Sequence, residues 1–182
     1  MRDLSTFSRT GYDKGRCVTV QALWFAVQNL VFRRWWCPAR LRVGLLRAFG
    51  ATVGRRVLVR HDVRVLWPWK LSVGDNSWIG EGAWLLNLEP IHIGSNVCVS
   101  QEALLCTGGH DHRTTDFRYR NAPIRLGHGC WVGARAVVLP GVTVEPGAVV
   151  AANTTASRDV SAGTVLVPGG SLPTRPRQRE RL

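Results

Sequence analysis

A chain of 182 residues has room for one domain with a real core and little more. Its 24 Lys and Arg against 12 Asp and Glu give a formal charge of +12; nearly all the cations are Arg, whose planar fork suits phosphate or carboxylate, so an anionic partner is expected, whether a phosphate-rich cofactor, an anionic membrane or nucleic acid. The five cysteines, Cys17, Cys37, Cys98, Cys106 and Cys130, form no C-x-x-C pair, which excludes a spelled-out zinc ribbon or redox motif and fits a reduced, cytoplasmic setting.

In chain order, the opening MRDLSTFSRTGYDKGR lacks an apolar segment with a small-residue cleavage site, so no signal peptide is expected. Residues 17 to 48 read as helical: Trp24, Phe25, Gln28, Val31 and Phe32 recur at three-to-four spacing, and Pro38 divides the stretch into two helices. Its longest apolar run, Val18 to Phe32, is shorter than the roughly 20 residues a spanning helix needs, and it carries Gln21, Gln28 and Asn29. Two roles are open. The helices cap the exposed end of the unit that follows, or their aromatic and Arg-rich surface rests on an anionic membrane, a peripheral contact at its inner face.

From Val53 the chain becomes rhythmic. Aliphatic residues recur every six positions at Val53, Val59, Val65; Val73, Ile79, Leu85; Ile93, Val99, Leu105; and Leu126, Val132, Val138, Val144, Val150, with Ala156 and Ala162 continuing the phase. Six is not a helical period. Short strands with a turn every six residues fit it, three of them closing one triangular coil, so that positions eighteen apart stack at about 4.8 Å. The aliphatic residue points inward, and the glycine that often follows it relieves crowding at the corner. Slips of two residues occur at Trp67-Pro68 and Glu89-Pro90.

One large interruption, residues 106 to 123, reads CTGGHDHRTTDFRYRNAP. A loop that long in a compact repeat is commonly functional. Beyond Pro168 the chain turns to PGGSLPTRPRQRERL, an extended or frayed basic tail. The organisation expected is a helical cap over residues 1–50, a repeat domain over 51–167 with its loop at 106–123, and a tail over 168–182.

The motifs LCTGGHDH from Leu105, SWIGE from Ser77, IGSNVCVSQEALL from Ile93 and PIRLGHGCWVGARAVVLPGVTV from Pro123 resemble the hexapeptide-repeat acetyltransferases. Within them, the chain is similar to the colanic-acid-biosynthesis type of sugar O-acetyltransferase. That resemblance implies a mainly β fold, a left-handed parallel β-helix with N-terminal capping helices and one protruding loop. It implies acetyl-CoA as acyl donor, a sugar or lipid-linked saccharide as acceptor in polysaccharide biosynthesis, and a homotrimer.

The histidine of the family's TGxHD motif, its catalytic base, falls on His110. Imidazole suits that task because its pKa lies near working pH. His112 has no motif match and is read as supporting the loop. His92 stands eighteen residues before His110 and is placed in the same column of the neighbouring coil; one such pair makes no metal site, and no metal is expected. Cys106 fills the small slot after Leu105 and reads as packing.

For the donor, the resemblance points to Ala134 and Ala152 beside the pantetheine, Ser157 and Arg158 at the family's Thr-Lys pair, a C-terminal cation at Arg175, and Trp131 as a hydrophobic wall or a core residue. Two departures matter: the family's GNPA turn reads PGGS at Pro168 to Ser171, and its acceptor-side asparagine aligns with Gly82, which leaves Glu81 and Asn87 as candidates. Alternatives are an amine or antibiotic hydroxyl as acceptor, or a non-catalytic binding or assembly module. No helix-turn-helix, RRM or zinc motif supports nucleic-acid binding.

Overall fold

The structure is a computed structural model that describes residues 4–7 and 11–173. Strands of two to four residues hydrogen-bond in parallel to their counterparts one coil away and build three sheets, the three faces of a prism. The first face carries Thr52–Val53, Leu71–Val73, Ile91–Ile93, Ile124–Leu126 and Thr143–Val144. The second carries Leu58–Val59, Trp78–Ile79, Cys98–Val99, Trp131–Val132, Val149–Val150 and Thr164–Val167. The third carries Arg64–Val65, Trp84–Leu86, Leu104–Cys106, Val137–Val138 and Thr155–Ala156.

The six-residue register is the core. Every aliphatic position in it from Val53 to Val150 is buried, and Leu85, Val99, Leu105, Val132, Val138, Val144 and Val150 are wholly so. Ala156 keeps the phase, but Ala162 is exposed and Val160 and Leu166 close the last coil instead. Each fully buried aliphatic side chain removes enough surface from water to contribute roughly 1.5–3 kcal/mol.

The stacking step is not uniform. Thr52 pairs with Ser72 and Ser72 with His92, His92 pairs with Arg125 across the interruption, and only Arg125 with Thr143 is spaced by eighteen. The two-residue slips lengthen the lower coils, one of them as a 3-10 turn over Pro68–Lys70. His92 therefore sits between Ser72 and Arg125, its Nδ1 2.9 Å from Ser72 Oγ, and not in a column with His110.

Corners use two devices. At Gly133 an added Cβ would lie 2.5 Å from the Ala152 backbone nitrogen, so the coils approach too closely there for a side chain. The left-handed residue of that corner stands two positions on, at Arg135 with φ 58°, where a side chain points outward and is tolerated at a modest conformational cost.

Helix α1 (Val18–Val27) continues into a π-helical turn, Gln28–Phe32, and helix α2 covers Ala39–Ala48. They close the lower end of the prism. Trp24, Phe32 and Leu46 are wholly buried on it. The lowest strand of the third face has no strand beneath it, and side chains serve instead: Val65 N–H donates to Gln28 Oε1 at 2.7 Å, and Trp24 Nε1–H donates to the Val65 carbonyl at 2.8 Å. Arg42, buried without a carboxylate, donates to the carbonyls of Phe32, Arg34 and Val59, and removal from water pushes its pKa down.

The upper end closes differently. The chain does not fray at Pro168: it turns at Pro168–Gly169 and Gly170–Pro173 runs back antiparallel along Thr164–Val167.

Candidate active site

The interruption leaves the third face at Cys106 and rejoins the first face at Ile124, so it springs from one edge of the prism. Its root is fixed by Thr107, which is wholly buried. The Thr107 hydroxyl donates to the Leu86 carbonyl at 3.1 Å and accepts from Glu89 N–H at 2.9 Å. Above the root the two strands of the loop pair. Ala122 N–H donates to Thr107 O, Arg120 N–H to Gly109 O, and Asp111 N–H to Arg118 O, while His110 and Tyr119 face each other in an antiparallel bridge. Gly109 N–H donates to Asn121 Oδ1 at 3.1 Å.

His110 thus stands on a braced hairpin neck, with its ring held by aromatics. It stacks on Phe117 with ring centroids 4.3 Å apart and planes within 1°, lies 5.0 Å from Tyr119, and meets the edge of Phe7 at 5.4 Å. Its Nδ1 is 2.8 Å from the Phe117 carbonyl oxygen. A carbonyl only accepts, so Nδ1 carries the proton and Nε2 of the neutral ring keeps its lone pair. Phe117 has φ 49°, an uncommon conformation for a bulky residue. That turn of the backbone belongs to the same residue whose carbonyl holds the ring.

The other loop residues sort by contact. His112 is exposed and makes no hydrogen bond or ring contact among the described residues. Asp111 supports the loop: its side chain accepts from Arg113 N–H and its carbonyl from the Thr114 hydroxyl. Cys106 Sγ–H donates to the Gly108 carbonyl, and burial pushes its thiol pKa up, which suits packing rather than nucleophilic attack. Burial pushes Cys130 up to about 12. No group of three His, Cys, Asp or Glu able to hold a metal occurs among the described residues.

The donor-side candidates fall in two places. Ala134 and Ala152 do stack, with Asn153 N–H donating to Ala134 O at 2.9 Å, on the edge between the second and third faces. That is a different edge from the one bearing His110. Ser157 and Arg158 lie on the loop's own edge, above it, and line a shallow cleft of ≈ 340 Å³ with Asn153, Thr155 and the turn at Pro168 and Gly169. Exposed hydroxyl and guanidinium groups beside an open cleft are a fitting donor set for phosphates. Arg175 lies outside the described residues. Trp131 is 51% exposed and donates from Nε1 to Ser100 Oγ at 2.8 Å, so it is a wall on the second face and not core.

On the acceptor side, Glu81 is exposed on the same edge as Ala134 and pairs with His61, Oε1 to Nε2 at 3.1 Å. Asn87 is a correction. It is wholly buried, its Oδ1 accepting from Trp67 N–H and its Nδ2 donating to Trp67 O. Both ends of its amide bridge two coils, and the side chain is closed off from solvent and so from a ligand. Phe7 and Tyr119 were not singled out from the sequence; Phe7 comes from far along the chain, and no spacing rule connects it to the loop.

Three stacked parallel faces with a histidine-bearing loop on one edge define the hexapeptide-repeat transferases. Residues 123–157 match the family described as bacterial transferase hexapeptide (six repeats). The chain is 41% identical over 169 residues, 91% of each chain, to WcaF of Escherichia coli (strain K12), named as a candidate colanic acid biosynthesis acetyltransferase. In fold it resembles a maltose O-acetyltransferase from Clostridium difficile 630, with TM-score 0.76 and 20% identity over 89% of this chain and 88% of that one. It likewise resembles a hexapeptide-repeat acetyltransferase from Vibrio cholerae O1 biovar eltor complexed with acetyl coenzyme A, with TM-score 0.76 and 21% identity over 88% of each chain. The protein belongs to the hexapeptide-repeat acetyltransferases, close to the WcaF type, and its solenoid is their left-handed β-helix.

Proposed function

We propose that this protein transfers an acetyl group from acetyl-CoA to a sugar hydroxyl in polysaccharide biosynthesis, with His110 as general base. The observation that carries the reading is the His110 tautomer: Nδ1–H is committed to the Phe117 carbonyl at 2.8 Å, which leaves Nε2 as an acceptor on an exposed ring. Nε2 takes the proton of the sugar hydroxyl as its oxygen attacks the thioester carbonyl. The resulting tetrahedral intermediate collapses with cleavage of the C–S bond, and the imidazolium returns its proton to the departing thiolate. No acyl-enzyme is formed. The identity to WcaF supports the acceptor class, and the acetyl coenzyme A in the Vibrio complex supports the donor.

The same reading includes a homotrimer. His110 and the Ala134–Ala152 column occupy different edges of one prism, so a second copy must bring its alanine edge to this loop for donor and base to meet. An apolar groove of ≈ 410 Å³ on the second face, lined by Leu58, Trp78, Cys98 and Trp131, offers surface for that contact. Ser157, Arg158 and Arg175 then hold the phosphates of the donor, and Glu81 faces the acceptor. Peripheral contact with an anionic membrane, where lipid-linked saccharides reside, completes the reading.

Purified protein given acetyl-CoA and sugar acceptors should release free thiol. His110→Ala should lower kcat by about 10²–10⁴. Undiminished turnover in that variant would overturn the assignment of the base.

A further inference from the structure

The helical cap has a second side. Of eleven large apolar side chains exposed among the described residues, seven lie between Val18 and Leu41. Helix α1 and its π-helical extension bury one stripe, Trp24, Gln28 and Phe32, on the prism. The opposite stripe carries Leu23 and Leu30, seven residues apart and 56 and 65% exposed, Val18 stands 75% exposed in the first turn, and no charged residue interrupts the segment from Cys17 to Phe32. A surface helix of a free-standing domain would place charges there. At its end the turn to α2 projects Trp35 and Trp36, 81 and 53% exposed.

Charge around this stripe is one-sided. From Lys14 to His61 the chain holds ten Lys and Arg and no Asp or Glu. Several of these cations are engaged within the fold: Arg33 with Asp62, Arg55 with Asp75, and Arg42 and Arg47 with backbone carbonyls. Arg34 and Arg40, which flank the Trp pair in sequence, have no acidic partner among the described residues.

We infer that this face docks on an anionic phospholipid bilayer, with α1 lying along the interface, its apolar stripe in the acyl boundary, Trp35 and Trp36 at headgroup depth, and Arg34 and Arg40 on lipid phosphates. The composition chooses the partner. A second copy would set the same uncompensated cations against themselves, whereas an anionic leaflet supplies the missing negative charge and an apolar layer together. Indole rings with an apolar body and one N–H favour that boundary. Fifteen helical residues span about 22 Å, short of the ~30 Å hydrocarbon core, and no helix among the described residues is long and apolar enough to cross a membrane. The helix lies on the bilayer and the prism stands off it. This docking gives residue-level form to the membrane contact in the functional reading, but it needs neither acetyl-CoA nor His110.

Flotation of the full-length protein with vesicles of phosphatidylglycerol and phosphatidylcholine in equal parts, against phosphatidylcholine alone, tests it. Wild type is expected to float with the anionic vesicles. L23Q/L30Q should lower its partitioning at least about tenfold, because two side chains lose their apolar burial. R34Q/R40Q should lose the preference for the anionic composition. All four positions are exposed, and an unchanged melting temperature in each variant verifies that it is intact. Wild type that stays in solution, or L23Q/L30Q that floats undiminished, overturns the inference. So does an L23Q/L30Q protein that elutes as a smaller particle than wild type on a sizing column, which would assign the face to a second copy.

Discussion

Two histidines with one ring chemistry are set to different tasks by their neighbours. His110 is exposed and clamped by a carbonyl, so its free nitrogen faces outward. His92 is half-buried in the first face, and burial, aided by the charge of Arg125 on the adjoining strand, pushes its pKa below the ordinary value. The unfolded chain protonates His92 near pH 6.5 while the folded one does not. Between those two pKa values the unfolded state binds more protons, so stability falls as pH drops below about 6.5 and levels off beneath the folded-state pKa. Urea unfolding of wild type and His92→Gln at neutral pH and near pH 5 should show the wild type losing more stability. Equal losses would mean that the strand carries no such linkage. Resemblance of the TGxHD motif marked His110 on the sequence. Its tautomer was not legible, because the deciding group is the Phe117 main-chain carbonyl, which carries no residue-type signature, and the positive φ that accompanies it falls on a phenylalanine.

Among the elements, loop and coil are close to independent. The loop begins and ends beside paired strands, and Ile124 resumes pairing with Ile91 as though nothing intervened. Replacing residues 110 to 119 with Asn-Gly should let the neck at Gly109 and Arg120 close as a tight hairpin. Such a protein is expected to keep its circular dichroism spectrum and melt within roughly 2–4 °C of wild type, the shift of about 1 kcal/mol in a domain of this size, while acetyl transfer disappears. Collapse of the fold would show that the loop and the Phe7 segment packed on it hold the prism together. The same independence explains what was readable. A coil repeats one environment, so every Val, Ile or Leu in the six-residue register from Val53 to Val150 reports the same inward position, and the period survives the loop. Departures had no period to betray them: Asn87 looks like any polar edge residue until its two bonds to the Trp67 backbone are seen. The eighteen-residue rule failed for His92 because the loop opens at Cys106 and carries His110 out of the coil, so that Arg125 takes the position beside His92.

At the scale of the molecule, one chain carries the parts of the proposed site on separate edges. Mixed assemblies of His110→Ala and Ala134→Trp protomers should therefore regain activity that neither variant shows alone, since one interface then pairs an intact loop with an intact alanine edge. Failure to regain any, with mixed particles verified by tagged pull-down, would place base and donor within a single protomer. The N-terminal helices do cap the prism, and the membrane docking inferred above concerns their other side; the sequence pattern could show only the periodic, prism-facing one.

The returning strand Gly170–Pro173 is the antiparallel partner that ends the second face. A solenoid is an open-ended construction: whatever surface accepts one coil would equally accept the first coil of another molecule, and polymers would follow. By reversing direction, the chain presents a ladder of the wrong polarity to any incoming parallel strand. Four residues thus end the second face against addition of a further parallel coil.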